Sequence, residues 1–430
     1  MAIINNGVRS IRPVNNKVGL NIEERDVDLK GRAKTAKASD MSHIAMRFVL
    51  FIGILSFFAD FTHEAARSIL GPYLASLHAT AFIVGSVTGF GELLGYSLRF
   101  FSGRLADSTG RFWPITIFGY VLQMSAVPAL ALTGSWQTAA IFIILERVGR
   151  AIRNPPRDVM LSHAAKHIGG YGWTFGIHEA CDQFGALCGP LVMAAVLAHH
   201  GSYQYAFAVL LIPAAINIGF VLTARLLYPT PQDMELEQVK EGDTARFSTT
   251  FWIYLAGASL VAIGFADYPL IAYHFTRTAS ISENMIPIFY AVAMAVSGSS
   301  SLLFGRLFDR YGFRVLIILT IAASLFAPLV FLGGFAMSLL GAAIWGMGMG
   351  VHESIIPAAV TPMVPMHRRA SAFGLFTGSY GIFWFLGSAA IGFLYDRSLP
   401  LTIIFCVATQ LMAVPLFIWV GRRQKNAVMG

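Results

Sequence analysis

Gly103–Phe112 reads GRLADSTGRF, and Gly305–Arg314 reads GRLFDRYGFR. The two decamers share Gly-Arg-Leu, then Asp, then Gly, in one register. Each follows an apolar run, Phe82–Phe101 in the first case and Ile286–Phe304 in the second. A shorter echo, Phe-Ala-Asp, stands at residues 58–60 and again at 265–267, each in the apolar run one earlier than the run that leads into a decamer. The two halves of the chain are therefore copies of one pattern, far apart in sequence.

The runs between these landmarks set the solvent. Hydrophobic residues make up 56% of the chain and charged residues 13%, against about 25% charged in an ordinary soluble domain. A chain this apolar cannot cover itself in water, so lipid is the solvent for much of it. A run of about 20 apolar residues crosses the hydrocarbon as a helix. Six candidate spans precede the middle of the chain: Met46–Ile69, Phe82–Phe101, Trp113–Leu132, Ala139–Met160, Trp173–Ala198 and Tyr205–Leu227. Six follow it: Phe251–Tyr273, Ile286–Phe304, Phe313–Gly333, Met337–Val360, Ala370–Leu394 and Leu401–Val420. The expected fold is an all-helical membrane protein of two pseudo-symmetric six-helix bundles, residues 46–227 and 251–421. Residues 228–250, with Pro229, Pro231 and several acids, form the linker. Residues 1–45 and 422–430 read as polar tails, the first without the apolar core of a cleavable leader.

Charge sets the orientation. Arg104, Arg111, Arg157, Lys166, Arg225, Lys240, Arg306, Arg310, Arg368, Arg369 and Arg422–Lys425 fall on one set of loops, and only Arg277 and Arg397 on the other. By the positive-inside rule both tails and the linker face the cytoplasm of a bacterial inner membrane. The formal net charge of +8 is this orientation signal, not a nucleic-acid surface. Cys181, Cys188 and Cys406 lie inside apolar runs and form no metal-ligand spacing. No Walker loop is present, so the chain is not an ATP-driven pump by itself, and no cofactor is expected. A duplicated six-helix unit points to two halves rocking about a midplane site.

With both decamers in place, the chain resembles the major facilitator superfamily from about Met46 to Val420. The superfamily signature G-x-L-a-D-r-x-G-r matches Gly103, Leu105, Asp107, Gly110 and Arg111, and its second copy matches Gly305, Leu307, Asp309, Arg310 and Gly312. ERVGRAIRNPPRDVML from Glu146, GIHEACDQFGALCGPL from Gly176 and GMGMGVHESIIPAAV from Gly346 look like a bacterial branch of it. The resemblance implies alternating access and no enzymatic reaction. The resemblance itself gives no cargo; the expected partners are a small polar, charged or amphipathic solute, protons as coupling ion and surrounding lipid, with export favoured slightly over uptake. It also implies that the Gly103 and Gly305 loops are conformational gates. The plainer reading is that they are loops that orient the chain.

The buried charges are the candidate site. Asp60, Glu64 and Arg67 lie successive turns apart in the first span, with His63 between them. Ionisable groups at membrane depth are costly, so they read as coupling or substrate groups, with structural pairing as the alternative. Glu146, Arg147 and Arg150 lie in the fourth span, followed by Arg153 and Arg157, with a bend or end expected at Pro155-Pro156. Arg147 best matches the arginine that the superfamily places beside its proton path. Buried arginines need protein carboxylates or an anionic cargo, and Arg150 is read as touching cargo. Glu92 and Arg99 are expected to pair with the first or fourth span. His178, Glu179 and Asp182 lie in the fifth span, ahead of Gly185-x-x-x-Gly189-Pro190, which resembles an antiporter motif. The second half adds Asp267, His352 and Glu353, with Tyr380 and Trp384 as possible cavity walls. None of the three His-Glu pairs completes HExxH, which excludes a zinc hydrolase and leaves no resident metal site. A divalent metal or a siderophore remains an alternative cargo, since His178 and Asp182 share a helix face. The alternative of another class is a sensor or scaffold that keeps the fold without transport.

Overall fold

In hydrocarbon each backbone N–H and C=O must be satisfied within the protein, so these apolar runs become helices. The structure is a computed structural model. It describes the backbone of residues 17–165, 167–168, 171–230, 247–360, 363–364 and 369–429, and side chains there except those of 17–40, 107, 171–172, 358, 369–371 and 425–429. Most of the expected linker, with Lys240, and also Lys166 and Arg368 lie outside the described residues. The first half holds α1 (Met41–Ser76), α2 (Ala81–Ala106), α3 (Phe112–Leu132), α4 (Trp136–Ala165), α5 (Trp173–His200) and α6 (Tyr203–Leu227). The second holds α7 (Thr249–Arg277), α8 (Ile286–Tyr311), α9 (Phe313–Leu332), α10 (Phe335–Pro357), α11 (Ala372–Tyr395) and α12 (Leu399–Gln424). Eleven of them are long and apolar enough to cross a membrane. The remaining one, α4, has the length at 30 residues but carries too many charges on one face. Outside the bilayer, the helix of α1 starts at Lys17 and that of α12 runs on to Met429, so the described parts of both tails are helical. A helix already nucleated in the span propagates through polar residues at little cost.

Two irregularities place the site. α4 was expected to bend or stop at Pro155-Pro156; it does not stop there, and is helical to Ala165. Pro155 cannot donate to the carbonyl of Ala151, four residues back. Ser102 of α2 donates to that carbonyl instead, at 2.9 Å, so the freed acceptor is satisfied without a break. α7 does break: Thr249–Gly264 and Tyr268–Arg277 are separate helical pieces around the second Phe-Ala-Asp. Gln410 donates to the Gly264 carbonyl at 3.1 Å and Trp345 to that of Ala266 at 2.8 Å. These partners satisfy an unwound segment at membrane depth, which leaves the Asp267 side chain free to face the other half.

The halves meet most closely at the end away from the linker. There α1 packs on α7 and α2 on α11. At Gly71 an added Cβ would lie 2.8 Å from the Pro269 carbonyl carbon and the Tyr273 nitrogen, so only glycine permits that approach. The main apolar core runs through both halves at this end, including Leu70, Tyr73, Leu270 and Phe275. A smaller core around Phe48, Trp113 and Met160 belongs to the first half alone. Among the described residues α5 also packs on α8 across the halves, but α4 and α5 have no comparable packing with α10 or α11. The interior is therefore closed away from the linker and looser toward it.

Candidate functional site

Helix α2 begins at the closed end with its first N–H groups unpaired within the helix. Thr80 Oγ1 accepts from Ile83 N at 3.3 Å. The remaining two are taken by the opposite half. Asp396, after α11, accepts from Ala81 N at 3.0 Å and from Phe82 N at 2.8 Å, one through each carboxylate oxygen. A helix of one half is thus capped by a carboxylate of the other.

Below this cap, buried polar groups form one chain between the halves. Asp60 faces Arg150 at 3.6 Å and Arg153 at 3.5 Å. Arg153 donates to Gln123 Oε1 at 2.6 Å and to Tyr120 Oη at 3.1 Å. Gln123 Nε2 donates to Glu146 Oε1 at 2.8 Å, which also lies 2.9 Å from His63 Nδ1. His63 Nε2 stands 3.3 Å from Arg147 Nη1. A guanidinium only donates, so Nε2 accepts, and Nδ1–H donates to Glu146. Arg147 reaches Glu92 at 3.0 Å, and Glu92 lies 3.8 Å from Arg67. Arg67 pairs with Asp267 of α7 at 3.2 Å, and Ser388 Oγ donates to the other Asp267 oxygen at 3.3 Å. Beside this link, Tyr290 of α8 donates to Glu64. The two Phe-Ala-Asp aspartates stand at the two ends of the chain.

The remaining predicted residues sit toward the linker end. Arg157 is held by Asp158 through Nε at 2.9 Å and Nη2 at 2.8 Å, and its Nη1 donates to Ser56 at 3.1 Å. Ser56 Oγ lies 2.7 Å from His178 Nε2, and His178 Nδ1 lies 3.4 Å from Asp182. Glu179 is exposed and accepts from Gln183 Nε2 at 2.9 Å. In the second half His352 is buried, with Nδ1 2.6 Å from Tyr380 Oη, and Trp384 is buried beside it. Glu353 is exposed, with no ion pair among the described residues. Arg99 is exposed and lies over the Tyr96 ring.

The expected gate loops are simpler. Gly110 ends the second helix at φ +63°, and Gly312 sits after α8 at φ +60°, where a side chain would be strained. Arg111, Asp309 and Arg310 are exposed, Gly305 has open space around it, and the Asp107 side chain lies outside the described residues. Gly103 faces Pro155: an added Cβ would lie 3.4 Å from the proline Cβ. The first decamer therefore packs against the proline turn of α4.

The family model described as Major Facilitator Superfamily matches residues 49–388 and 255–428. The chain belongs to that superfamily. An uncharacterized protein of Mycobacterium tuberculosis is 38% identical over 376 residues, 86% of this chain and 92% of that protein. An uncharacterized MFS-type transporter of Methanocaldococcus jannaschii is 27% identical over 372 residues, 83% of this chain and 90% of that one. Among solved structures, a mutant of the nucleoside transporter NupG aligns with a TM-score of 0.71 at 13% identity, over 87% of this chain and 99% of that one. As a superfamily member the chain is a multi-pass membrane protein and a secondary transporter rather than an enzyme. Several polar groups at or beside this site could not be read from sequence. Gln123, Ser56, Tyr290 and Asp396 carry no local signal, since each acquires its partner from another helix.

Proposed function

We propose that this protein couples the movement of a small polar, charged or amphipathic solute to protons by alternating access. It would lie in a bacterial inner membrane with both termini cytoplasmic, the Asp396 cap on the periplasmic side, and export as its working direction. The observation that carries this reading is the buried chain from Asp60 to Asp267, with the His63 imidazole at its centre between Glu146 and Arg147. Charged groups facing His63 are Glu64 on its own helix, at 3.7 Å, and Glu146 and Arg147 on α4. A proton added at Nε2 turns an acceptor into a donor aimed at a guanidinium. Arg147 must then shift, and Glu64 is the nearest carboxylate to receive the new N–H. Glu64 is also the group held by Tyr290, so one proton is felt at a contact between the halves.

The arginines of α4 do not require an anionic cargo, because Arg147, Arg150 and Arg153 each face a carboxylate. In this reading Arg150 holds Asp60 rather than solute. The Gly103 loop transmits rocking to α4 through Gly103 and Pro155. The test is reconstitution in liposomes with a pH gradient and an interior pH dye. Wild type should dissipate the gradient or accumulate solute with it. His63→Gln, which cannot carry the extra proton, should lose coupling while retaining exchange of solute at equal pH. Wild-type coupling in His63→Gln removes the imidazole from the mechanism. A wild-type protein that moves neither proton nor solute would be a sensor or scaffold.

A further inference from the structure

The polar groups on the first turns of α5 are not used by the chain just described. His178, Glu179 and Asp182 each present one ligand atom, and these atoms lie within 4.8 Å of one another. His178 Nδ1 and the nearer Asp182 oxygen are 3.4 Å apart. Two ligands about 2.1 Å from one ion at a tetrahedral angle are separated by about this distance. The ring is already oriented: Nε2 rests on Ser56 Oγ at 2.7 Å, as a metal-binding histidine rests its other nitrogen on a neighbour. Asp182 Oδ1 is shielded from solvent and has no hydrogen-bond partner among the described residues. Glu179 is held by Gln183 through one oxygen and is exposed.

Charge is consistent with a dication. The guanidinium nearest the group is that of Arg157, which donates to the Ser56 hydroxyl on which His178 rests, and Arg153 lies beyond it. Arg157 is taken up by Asp158, and Arg153 by Asp60. Glu179 and Asp182 have no guanidinium within ion-pair distance among the described residues. The second half holds one more carboxylate with no ion pair among the described residues, the exposed Glu353 of α10.

We infer that His178, Glu179 and Asp182 bind a divalent first-row transition-metal cation as transported cargo. The inference rests on the transport reading and names a cargo class for it. Imidazole favours such ions over calcium or magnesium, which prefer oxygen alone. Three protein ligands leave positions for water, so the ion can exchange, as a carried ion must.

Cobalt(II) is the probe, because its visible spectrum changes with coordination. Purified protein in nanodiscs should take up one cobalt with a spectrum unlike that of the hydrated ion. His178→Ala and Asp182→Asn should each weaken binding by about 100-fold or more. Ser56→Ala, which touches no metal, should weaken it about 10–100-fold. Glu179→Gln keeps the side-chain shape and should weaken it as well, and His199→Ala should not. A hydrated-ion spectrum, or equal affinity in wild type, His178→Ala and Asp182→Asn, overturns the site. Liposomes then separate the two claims. Protein that couples to protons but binds no cobalt rejects this cargo and leaves the transport reading standing. Protein that binds cobalt yet moves neither cobalt nor protons rejects the cargo role together with that reading.

Discussion

Asp396→Ala should loosen the closed end without unfolding the protein. The carboxylate accepts from Ala81 N and Phe82 N at 3.0 and 2.8 Å, and those donors have no partner inside their own helix. Replacing an N-cap side chain by alanine costs about 1 kcal/mol, within a range of roughly 0.5–2. A carboxylate at a helix N-terminus adds about 0.3–1 kcal/mol where exposed. Asp396 is exposed, which favours the low end of both, so the sum is about 0.8–1.3 kcal/mol. The two partners belong to different halves, so this energy exists only while the halves are together at that end. Its loss should shift the closed-to-open ratio by about 4–9-fold. Electron–electron resonance between spin labels on cysteines introduced at Ser76 and Leu401 measures that ratio, with the three native cysteines replaced. Wild type should show mainly the short distance, and Asp396→Ala a grown long-distance population with an unchanged melting temperature. Identical distance distributions in the two proteins would refute the cap as a contact between moving halves. Asp396→Asn should fall between them, because its amide keeps one acceptor oxygen and turns a donor toward the second N–H.

Gly71→Val should shift the same distances further, since even a Cβ there meets the Pro269 and Tyr273 backbone at 2.8 Å. Arg67→Ala leaves Asp267 buried beside the gap, and breaking a buried pair costs about 3–5 kcal/mol; thermal unfolding in detergent should show a large loss, partly recovered by adding Asp267→Asn. Ser102→Ala should destabilise by about 1–3 kcal/mol by stranding the Ala151 carbonyl; Pro155→Ala in that background should recover it, because the helix regains its own donor. Arg150→Lys should leave cargo affinity unchanged and lower stability slightly, as expected for a group that faces Asp60 at 3.6 Å. Cysteines introduced at Gln137 and Ser282 should react with an impermeant reagent from the periplasm, and those at Arg111 and Arg310 only after the membrane is opened.

How much the sequence could say depended on how local the physics was. Crossing a bilayer requires a contiguous apolar run, so the spans were legible from composition, and α4 was recognisable despite its charges by its place between neighbours. The duplicated decamers were enough for the family because the motif is contiguous and occurs twice. Pairing was legible where partners share a helix, as for Arg67 and Glu64 at 3.9 Å. Glu92 was also expected to pair with the first or fourth span, and it meets Arg67 and Arg147 from both. Only the tertiary structure decided that α4 passes through Pro155 unbroken, because the rescuing hydroxyl of Ser102 comes from α2. It alone decided that the second Phe-Ala-Asp is unwound while the first is helical, because Trp345 and Gln410 satisfy the freed carbonyls of one copy. The Asp396 cap has no sequence signature at all, since donor and acceptor lie more than 300 positions apart. A hydrogen bond depends on a few ångströms of separation in space, and across helices that separation is set by packing, not by order along the chain.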